Sequence, residues 1–157
     1  MMKNSLLINA VLFCLCLLLY AACVATHSAS TTGNSQFLDK GETSRYQLLI
    51  KANQSEITGI MLLKYMAGEW RGSLINEFGV KVFDLTATGG KCRLQHILPL
   101  LDKWHIRRTI ASDFAFLLWN AGQGTPGKGK SIEQLPDGAF LLKNEKRHIT
   151  YLFQPVK

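Results

Sequence analysis

Short apolar runs separated by turn residues make up most of the chain after residue 45, and this spacing predicts antiparallel strands. Asn53-Gln54-Ser55 and Thr88-Gly89-Gly90-Lys91 are typical of hairpin turns between such strands. The pattern predicts strands over residues 46–52, 56–66, 70–76, 80–86, 92–97, 138–143 and 147–153. The bulk of the chain is therefore expected to form one antiparallel sheet.

A change of the hydrophobic period to about 3.6 predicts helix between the fifth and sixth of these strands. Pro99 is expected to open a first helix that runs to about Ile110, since proline is tolerated in a first turn. Ser112 is expected to cap a second helix that ends near Trp119. The glycine-rich residues 122–129 follow as a flexible loop, so the fold class predicted for residues 46–157 is α+β.

The first 22 residues have the pattern of a secretion signal, with a basic start at Lys3 followed by an apolar run. Ala21-Ala22 then precede Cys23, an arrangement that resembles the bacterial lipobox, in which the cysteine becomes the lipidated first residue. Tyr20 departs from that motif, which usually has Leu at this place. We expect Cys23 to be a lipid anchor, so a membrane is the first expected partner.

Two alternatives to lipidation stay open, namely ordinary cleavage near Ala25 or later and retention of the apolar run as a membrane anchor. Residues 23–45 are predicted to be a flexible tether, because residues 24–36 are polar and lack periodicity. We expect the protein to be exported and held on a membrane by its lipid, and the bacterial outer membrane is the membrane expected. The alternative is a periplasmic or secreted protein.

The charge balance favours a partner surface that is anionic. The chain carries a formal net charge of +7, and loss of Lys3 with the signal leaves +6, which favours lipid headgroups. Nucleic-acid binding is not expected, because the basic residues are scattered and no nucleic-acid-binding motif is present. A lipidated Cys23 would leave Cys92 without a disulfide partner, and a Cys23–Cys92 bridge is the alternative.

Residues that could carry covalent chemistry do not fall into a recognisable arrangement. The four histidines lack metal-ligand spacing, and no serine lies in a Gly-x-Ser-x-Gly elbow, so neither a metal, a cofactor nor an enzymatic activity is expected. Spacing alone leaves an acid–base pair open among Glu77, Asp84, Asp102 and Asp113. Cys92 is expected to pack within a strand, since no base accompanies it; the alternative is a thiol whose pKa is lowered by its two basic neighbours.

Aromatic residues concentrate in the middle of the chain and allow two interpretations. They form either the core of a curved sheet covered by helices or the lining of an apolar cavity under that sheet. The residues predicted to line such a cavity are Phe78, Phe83, Trp104 and Phe114.

The segment from Gly68 to Trp119 resembles the lipoprotein-localisation factors LolA and LolB, or another bacterial lipoprotein family of similar shape. The resemblance is carried by the layout of Gly72-Ser73-Leu74-Ile75-Asn76-Glu77-Phe78-Gly79, Val80-Lys81-Val82-Phe83-Asp84, Gly90-Lys91 and Leu101-Asp102-Lys103-Trp104. It implies a curved antiparallel sheet, an incomplete barrel with helices covering its concave side, and a cavity for the acyl chains of a lipoprotein or lipid. Cys23 as acyl acceptor is the one family residue carried over.

Together these patterns predict an exported, lipid-anchored protein that binds an apolar or acylated ligand, in lipoprotein or lipid transfer to the outer membrane. The alternative is a scaffolding lipoprotein whose sheet binds protein partners and has no cavity. A cavity of about 300 Å³ or more would favour the first hypothesis, because ligand sites begin near that size.

Overall fold

The computed structural model describes residue 38, residues 41–120 and residues 127–156. The predicted signal peptide, Cys23 and most of the predicted tether lie outside these residues. Within the described part of the chain, no helix combines the length and the apolar character needed to cross a bilayer.

Within the described residues, eight antiparallel strands form one curled sheet that resembles half a barrel. The strands are β1 (Ser44–Ala52), β2 (Ser55–Met66), β3 (Glu69–Ile75), β4 (Lys81–Thr88), β5 (Lys91–Gln95), β6 (Lys130–Gln134), β7 (Phe140–Asn144) and β8 (Ile149–Pro155). The order across the sheet is β5-β4-β3-β2-β1-β8-β7-β6. Strands β1 to β5 and strands β6 to β8 pair with their neighbours in the sequence, and the pairing of β1 with β8 joins the two groups.

The alternation of side chains defines an inner face of the sheet, which carries the core. Tyr46, Leu48 and Ile50 of β1 are buried, whereas the residues between them are more exposed, as the two-residue period of a strand requires. Phe153 of β8 lies opposite Leu48, and Tyr151 lies opposite Ile50, so the neighbouring strand adds its large side chains to the same face.

Two glycines on β2 and β3 allow this sheet to curl tightly. A Cβ atom at Gly59 would collide with the carbonyl oxygen of Ile75 on the paired strand. A Cβ atom at Gly72 would lie 2.7 Å from Leu63 Cδ2, closer than packed carbon atoms approach. Glycine inside a strand commonly marks such a close approach. The pairing of β3 with β4 also shifts register after Leu74, which adds local bending.

A single helix, α1 (Trp104–Asn120), replaces the two helices predicted from the sequence. Pro99 lies in a turn before it, in which the Leu101 N–H donates to the Leu98 carbonyl at 2.8 Å. Ser112 does not cap a second helix, because it lies in the middle of α1, where its hydroxyl accepts a hydrogen bond from Lys130 on the sheet. The prediction failed because Ser-Asp is typical of a helix start, but the same two residues also occur inside a helix when polar groups of a neighbouring element bind their side chains.

α1 is joined to strands on both sides of the sheet's centre. Arg107 Nη2 donates to the Leu94 carbonyl of β5 at 3.1 Å. The Phe114 ring packs edge-on against Phe83 of β4 at 5.8 Å and against Phe153 of β8 at 6.1 Å. The sequence and structure therefore agree on a curved antiparallel sheet with a helix packed on it.

All seven predicted strands are present, with bounds that differ from the prediction by at most two residues. The additional strand, β6, was not predicted, since Ile132 is its one apolar residue and its pattern is that of a loop. β6 pairs with β7 and forms one edge of the sheet within the described residues. Of the predicted loop 122–129, residues 122–126 lie outside the described part of the chain.

Candidate functional site

A cavity of about 760 Å³ lies beside the inner face of the sheet. It is lined by residues of β1, β2 and β8, by α1 and by the segment between β5 and α1. The apolar part of its wall is mainly aliphatic, and polar and charged residues, among them Glu56, Glu77 and Lys103, complete the lining. The aliphatic residues include Ile50, Ile57, Leu101, Ile106, Ile110 and Ile149. We call it the apolar cavity. Its volume falls within the range of about 300–1,000 Å³ that is typical of small-molecule sites.

Two large apolar side chains on the wall of this cavity are open to solvent. Phe78, in the turn between β3 and β4, is 80% exposed, and Leu100, before α1, is 79% exposed. An apolar side chain gains nothing from such exposure, so large exposed ones that gather at one place commonly mark a contact site. The apolar character of the cavity thus continues outward to its rim.

A second cavity, of about 350 Å³, adjoins the first and has a different chemical character. Basic side chains from α1, from the start of β6 and from the turn after β7 surround it: Arg108, Lys128, Lys130, Lys146 and Arg147. We call it the basic pocket. His105, Thr109 and Arg147 line both cavities, so the two share a wall.

A buried polar cluster around Asp113 stands behind this wall. Asp113, in the middle of α1, is fully buried, and three side chains from the sheet meet its carboxylate. The Tyr151 hydroxyl donates to it at 2.8 Å, Asn144 Nδ2 donates at 2.7 Å, and Lys130 Nζ forms an ion pair at 2.8 Å. Lys130 also donates to the Ser112 hydroxyl at 2.7 Å, which fixes its position further.

The electrostatics of the cluster follow from burial. Burial raises the pKa of Tyr151 well above its usual range, and the negative charge of Asp113 and the hydrogen bond that Tyr151 donates to it raise it further. Tyr151 therefore stays a neutral donor at physiological pH. Its ring lines the apolar cavity, while Lys130 and Asn144 line the basic pocket, so one carboxylate positions groups on both cavities.

The four aromatic residues predicted to line a cavity occupy three different places. Phe78 lies on the wall of the apolar cavity, and Trp104 lies on the wall of the basic pocket, where it is 74% exposed. Phe83 and Phe114 are fully buried in ring contact with each other and are among the lining residues of neither cavity. The other apolar residues on the wall of the apolar cavity are mainly aliphatic, and the sequence pattern did not single them out.

A separate cluster on β3, β4 and the end of β5 is organised around Asp84. Its carboxylate accepts the Ser73 hydroxyl at 2.5 Å and pairs with Lys81 Nζ and His96 Nδ1, each at 2.8 Å. Burial opposes ionisation of Asp84, but the hydrogen bonds from Lys81, Ser73 and His96 outweigh it and lower the pKa of the carboxyl.

This arrangement does not form a nucleophilic triad. In a triad the histidine contacts the serine, whereas here both Ser73 and His96 contact the carboxylate between them. None of these residues lines the apolar cavity or the basic pocket. The cluster links β3, β4 and the end of β5 through hydrogen bonds and ion pairs to the Asp84 carboxylate.

The environment of Cys92 reverses the effect expected from its basic neighbours. Burial raises the pKa of the Cys92 thiol to about 12, because the side chain faces the protein rather than the charges of Lys91 and Arg93. In the described residues Cys92 is a free cysteine, and no group of three or more metal-ligating side chains occurs there.

No protein-family model matches the chain, and no curated protein matches it.

Most of the site was missed in the sequence because its residues come from distant parts of the chain. One signal could have revealed the polar cluster: Asp113 falls on the apolar stripe of α1, three residues after Ile110 and four before Leu117. A carboxylate in that register is buried on folding and needs partners from the sheet.

Proposed function

We propose that this protein binds an acyl chain or a similarly elongated apolar ligand in the apolar cavity and performs no covalent chemistry. The observation that carries the proposal is the volume of about 760 Å³ beside a wall whose exposed surface is mainly apolar. The space is a cleft that opens to solvent, and its apolar wall would be removed from water by an apolar ligand. The scaffolding alternative, in which the sheet has no cavity, receives no support from this geometry.

In this proposal α1 covers the concave side of the curled sheet without filling it, as the resemblance to LolA and LolB implies. The exposed side chains of Phe78 and Leu100 at the rim support the proposal, because they offer an apolar path between the cavity and a membrane. The role that fits is lipoprotein or lipid transfer to the outer membrane.

Two tryptophan substitutions on β2 test the proposal. Ile57 lines the apolar cavity, whereas Ile60 is 39% exposed on the opposite side of the same strand. Ile57→Trp would place a larger ring in the cavity, while Ile60→Trp adds the same volume outside it. We expect the wild type and Ile60→Trp to bind a fluorescent fatty acid equally, and Ile57→Trp to bind it at least about tenfold more weakly, a loss of about 1.4 kcal/mol.

The readout is probe fluorescence during titration, with the thermal midpoint of each variant recorded to show that it folds. Equal affinities of Ile57→Trp and wild type would contradict binding in this cavity. Absence of probe binding by the wild type would contradict the proposal as a whole.

The proposed lipid anchor needs a separate measurement, because Cys23 lies outside the described residues. We expect the membrane-extracted wild type to be heavier than the chain from Cys23 onward by its acyl groups, and a Cys23→Ala variant to lack them. Intact-mass spectrometry of both proteins decides this. A soluble, unmodified wild type would leave a secreted ligand-binding domain without an anchor.

A further inference from the structure

The basic pocket has an excess of positive charge that nothing on its own wall neutralises. Five cationic side chains and His105 line it, and no Asp or Glu is among its lining residues. Asp113 compensates Lys130 from behind the wall. Arg108, Lys128, Lys146 and Arg147 take part in no ion pair within the described part of the chain.

Several cations elsewhere on the sheet do have carboxylate partners. Lys51, Lys81 and Lys143 each pair with a carboxylate within 3.1 Å. Gathering like charges around a concave space is unfavourable unless an anion enters it, since each added cation raises the local potential. Arginine and lysine side chains are also the donors that phosphate and carboxylate groups prefer. The chemistry of the pocket is that of an anion site.

Part of the pocket wall is fixed before any ligand arrives. Lys130 is held by two hydrogen-bonding partners and its side chain is 16% exposed. The stem of Lys146 lies over Gly129, where a Cβ atom would meet Lys146 Cγ at 2.9 Å. A site whose donors are held in place loses less conformational freedom on binding.

Continuity between the basic pocket and the apolar cavity indicates what kind of anion fits. His105, Thr109 and Arg147 belong to both walls, so a ligand that leaves the pocket across them enters aliphatic surroundings. A free inorganic anion would use the pocket alone, and a neutral lipid would use the cavity alone. An amphiphile with an anionic head and an acyl chain would use both.

We infer that the ligand is an anionic lipid, whose phosphate or carboxylate head binds in the basic pocket while its acyl chain occupies the apolar cavity. This inference rests on the proposed function, since it assigns the ligand class of the same site. It favours a lipid with a charged head over an acylated protein, whose modified terminus carries no anionic group next to its chains.

The test compares two amphiphiles with the same acyl chain, lysophosphatidic acid and monoacylglycerol, together with inorganic phosphate. Calorimetric titration of the wild-type protein should give an affinity for lysophosphatidic acid at least about tenfold higher than for monoacylglycerol, because charge-assisted hydrogen bonds to the phosphate add to chain burial. Rising salt should weaken the first affinity and leave the second nearly unchanged.

A matched pair of double variants locates the head. Arg108→Gln/Lys146→Gln removes two charges from the basic pocket, and Arg93→Gln/Lys91→Gln removes two from β5, away from both cavities. The pocket variant should lose about tenfold or more in affinity for lysophosphatidic acid and keep its affinity for monoacylglycerol. The β5 variant should bind both as the wild type does.

The outcomes separate the inference from the function on which it rests. Similar affinities for both amphiphiles, with no effect of the pocket variant, would overturn the inference and leave acyl binding standing. Failure of both amphiphiles to bind would overturn both. Inorganic phosphate binding as tightly as lysophosphatidic acid would overturn the link between pocket and cavity. If the pocket variant does not fold, the salt dependence of the two wild-type affinities decides.

Discussion

Replacing Asp113 with asparagine should destabilise the fold strongly while changing its shape very little. Asn has the volume of Asp and keeps one carbonyl oxygen, but it replaces the second acceptor with an N–H₂ group. That group would face donors, because Tyr151, Asn144 and Lys130 all donate to Asp113. The change therefore leaves Lys130 uncompensated and sets donor against donor in a fully buried place.

The magnitude follows from the partners that are lost. Removing one member of a buried ion pair typically costs about 3–5 kcal/mol, since the remaining charge stays buried without compensation. The Lys130 side chain is 16% exposed, so solvent screens this charge only in part. We expect Asp113→Asn to lower the free energy of unfolding by about 3–5 kcal/mol, a large share of the roughly 5–15 kcal/mol of a typical domain. Tyr151→Phe removes one donor to a charged group and should cost about 1.5–3 kcal/mol.

Urea denaturation followed by tryptophan fluorescence measures these changes, because Trp70 is buried in the native sheet. Glu133→Gln is the control, since it makes the same change of acid to amide in an exposed pair with Lys143 and should alter stability little. The Asp113→Asn/Tyr151→Phe double variant should lose less than the sum of the single changes, because both remove the same hydrogen bond. A loss below about 1 kcal/mol for Asp113→Asn, or strict additivity, would refute this account of the cluster.

Two further predictions concern the sheet and its free thiol. Gly72→Ala should cost about 1–3 kcal/mol in urea denaturation, because the new Cβ would lie 2.7 Å from Leu63 Cδ2 and 2.9 Å from the Leu62 carbonyl; an unchanged midpoint would argue against the close approach of β2 and β3. In a chain whose other three cysteines are replaced by serine, Cys92 should react with a disulfide reagent at pH 8 about 10³-fold more slowly when native than when denatured, because its pKa rises from near 9 to about 12. The native rate should grow about tenfold per pH unit up to that value, whereas a rate already constant above pH 9 would contradict the burial of the thiol.

The sheet was largely predictable because the residues of its turns are characteristic of turns in the sequence itself. Asn53 and the pair Gly89-Gly90 adopt positive φ angles at the hairpin turns that their composition predicted. The strands between such turns carry enough apolar residues to be recognised without knowledge of their partners. β6 lacks that pattern, since its five residues acquire their strand conformation from pairing with β7.

The functional residues were less predictable because strand pairing, rather than the local sequence, brings them together. Lys130 lies opposite Asn144 in the register of β6 with β7, which brings the lysine at the start of β6 beside the basic turn that follows β7. Neither segment is basic enough alone to indicate an anion site. Scattered charges in the sequence thus become a cluster only through a strand that the sequence pattern did not reveal.

The polar cluster also explains how an empty space persists next to a core. α1 packs mainly on β5 and also contacts β4, β6, β7 and, through Phe114, β8, whereas most of the strand residues that line the apolar cavity belong to β1 and β2. Hydrophobic contact alone would favour movement of the helix toward those strands, because closing the cleft would bury more apolar surface. Arg107 on β5 and Asp113 on the β6–β8 side hold the helix by directional bonds that such a movement would break. The buried carboxylate therefore fixes the position of α1 on the sheet by directional bonds, in a stripe where an aliphatic residue would make none.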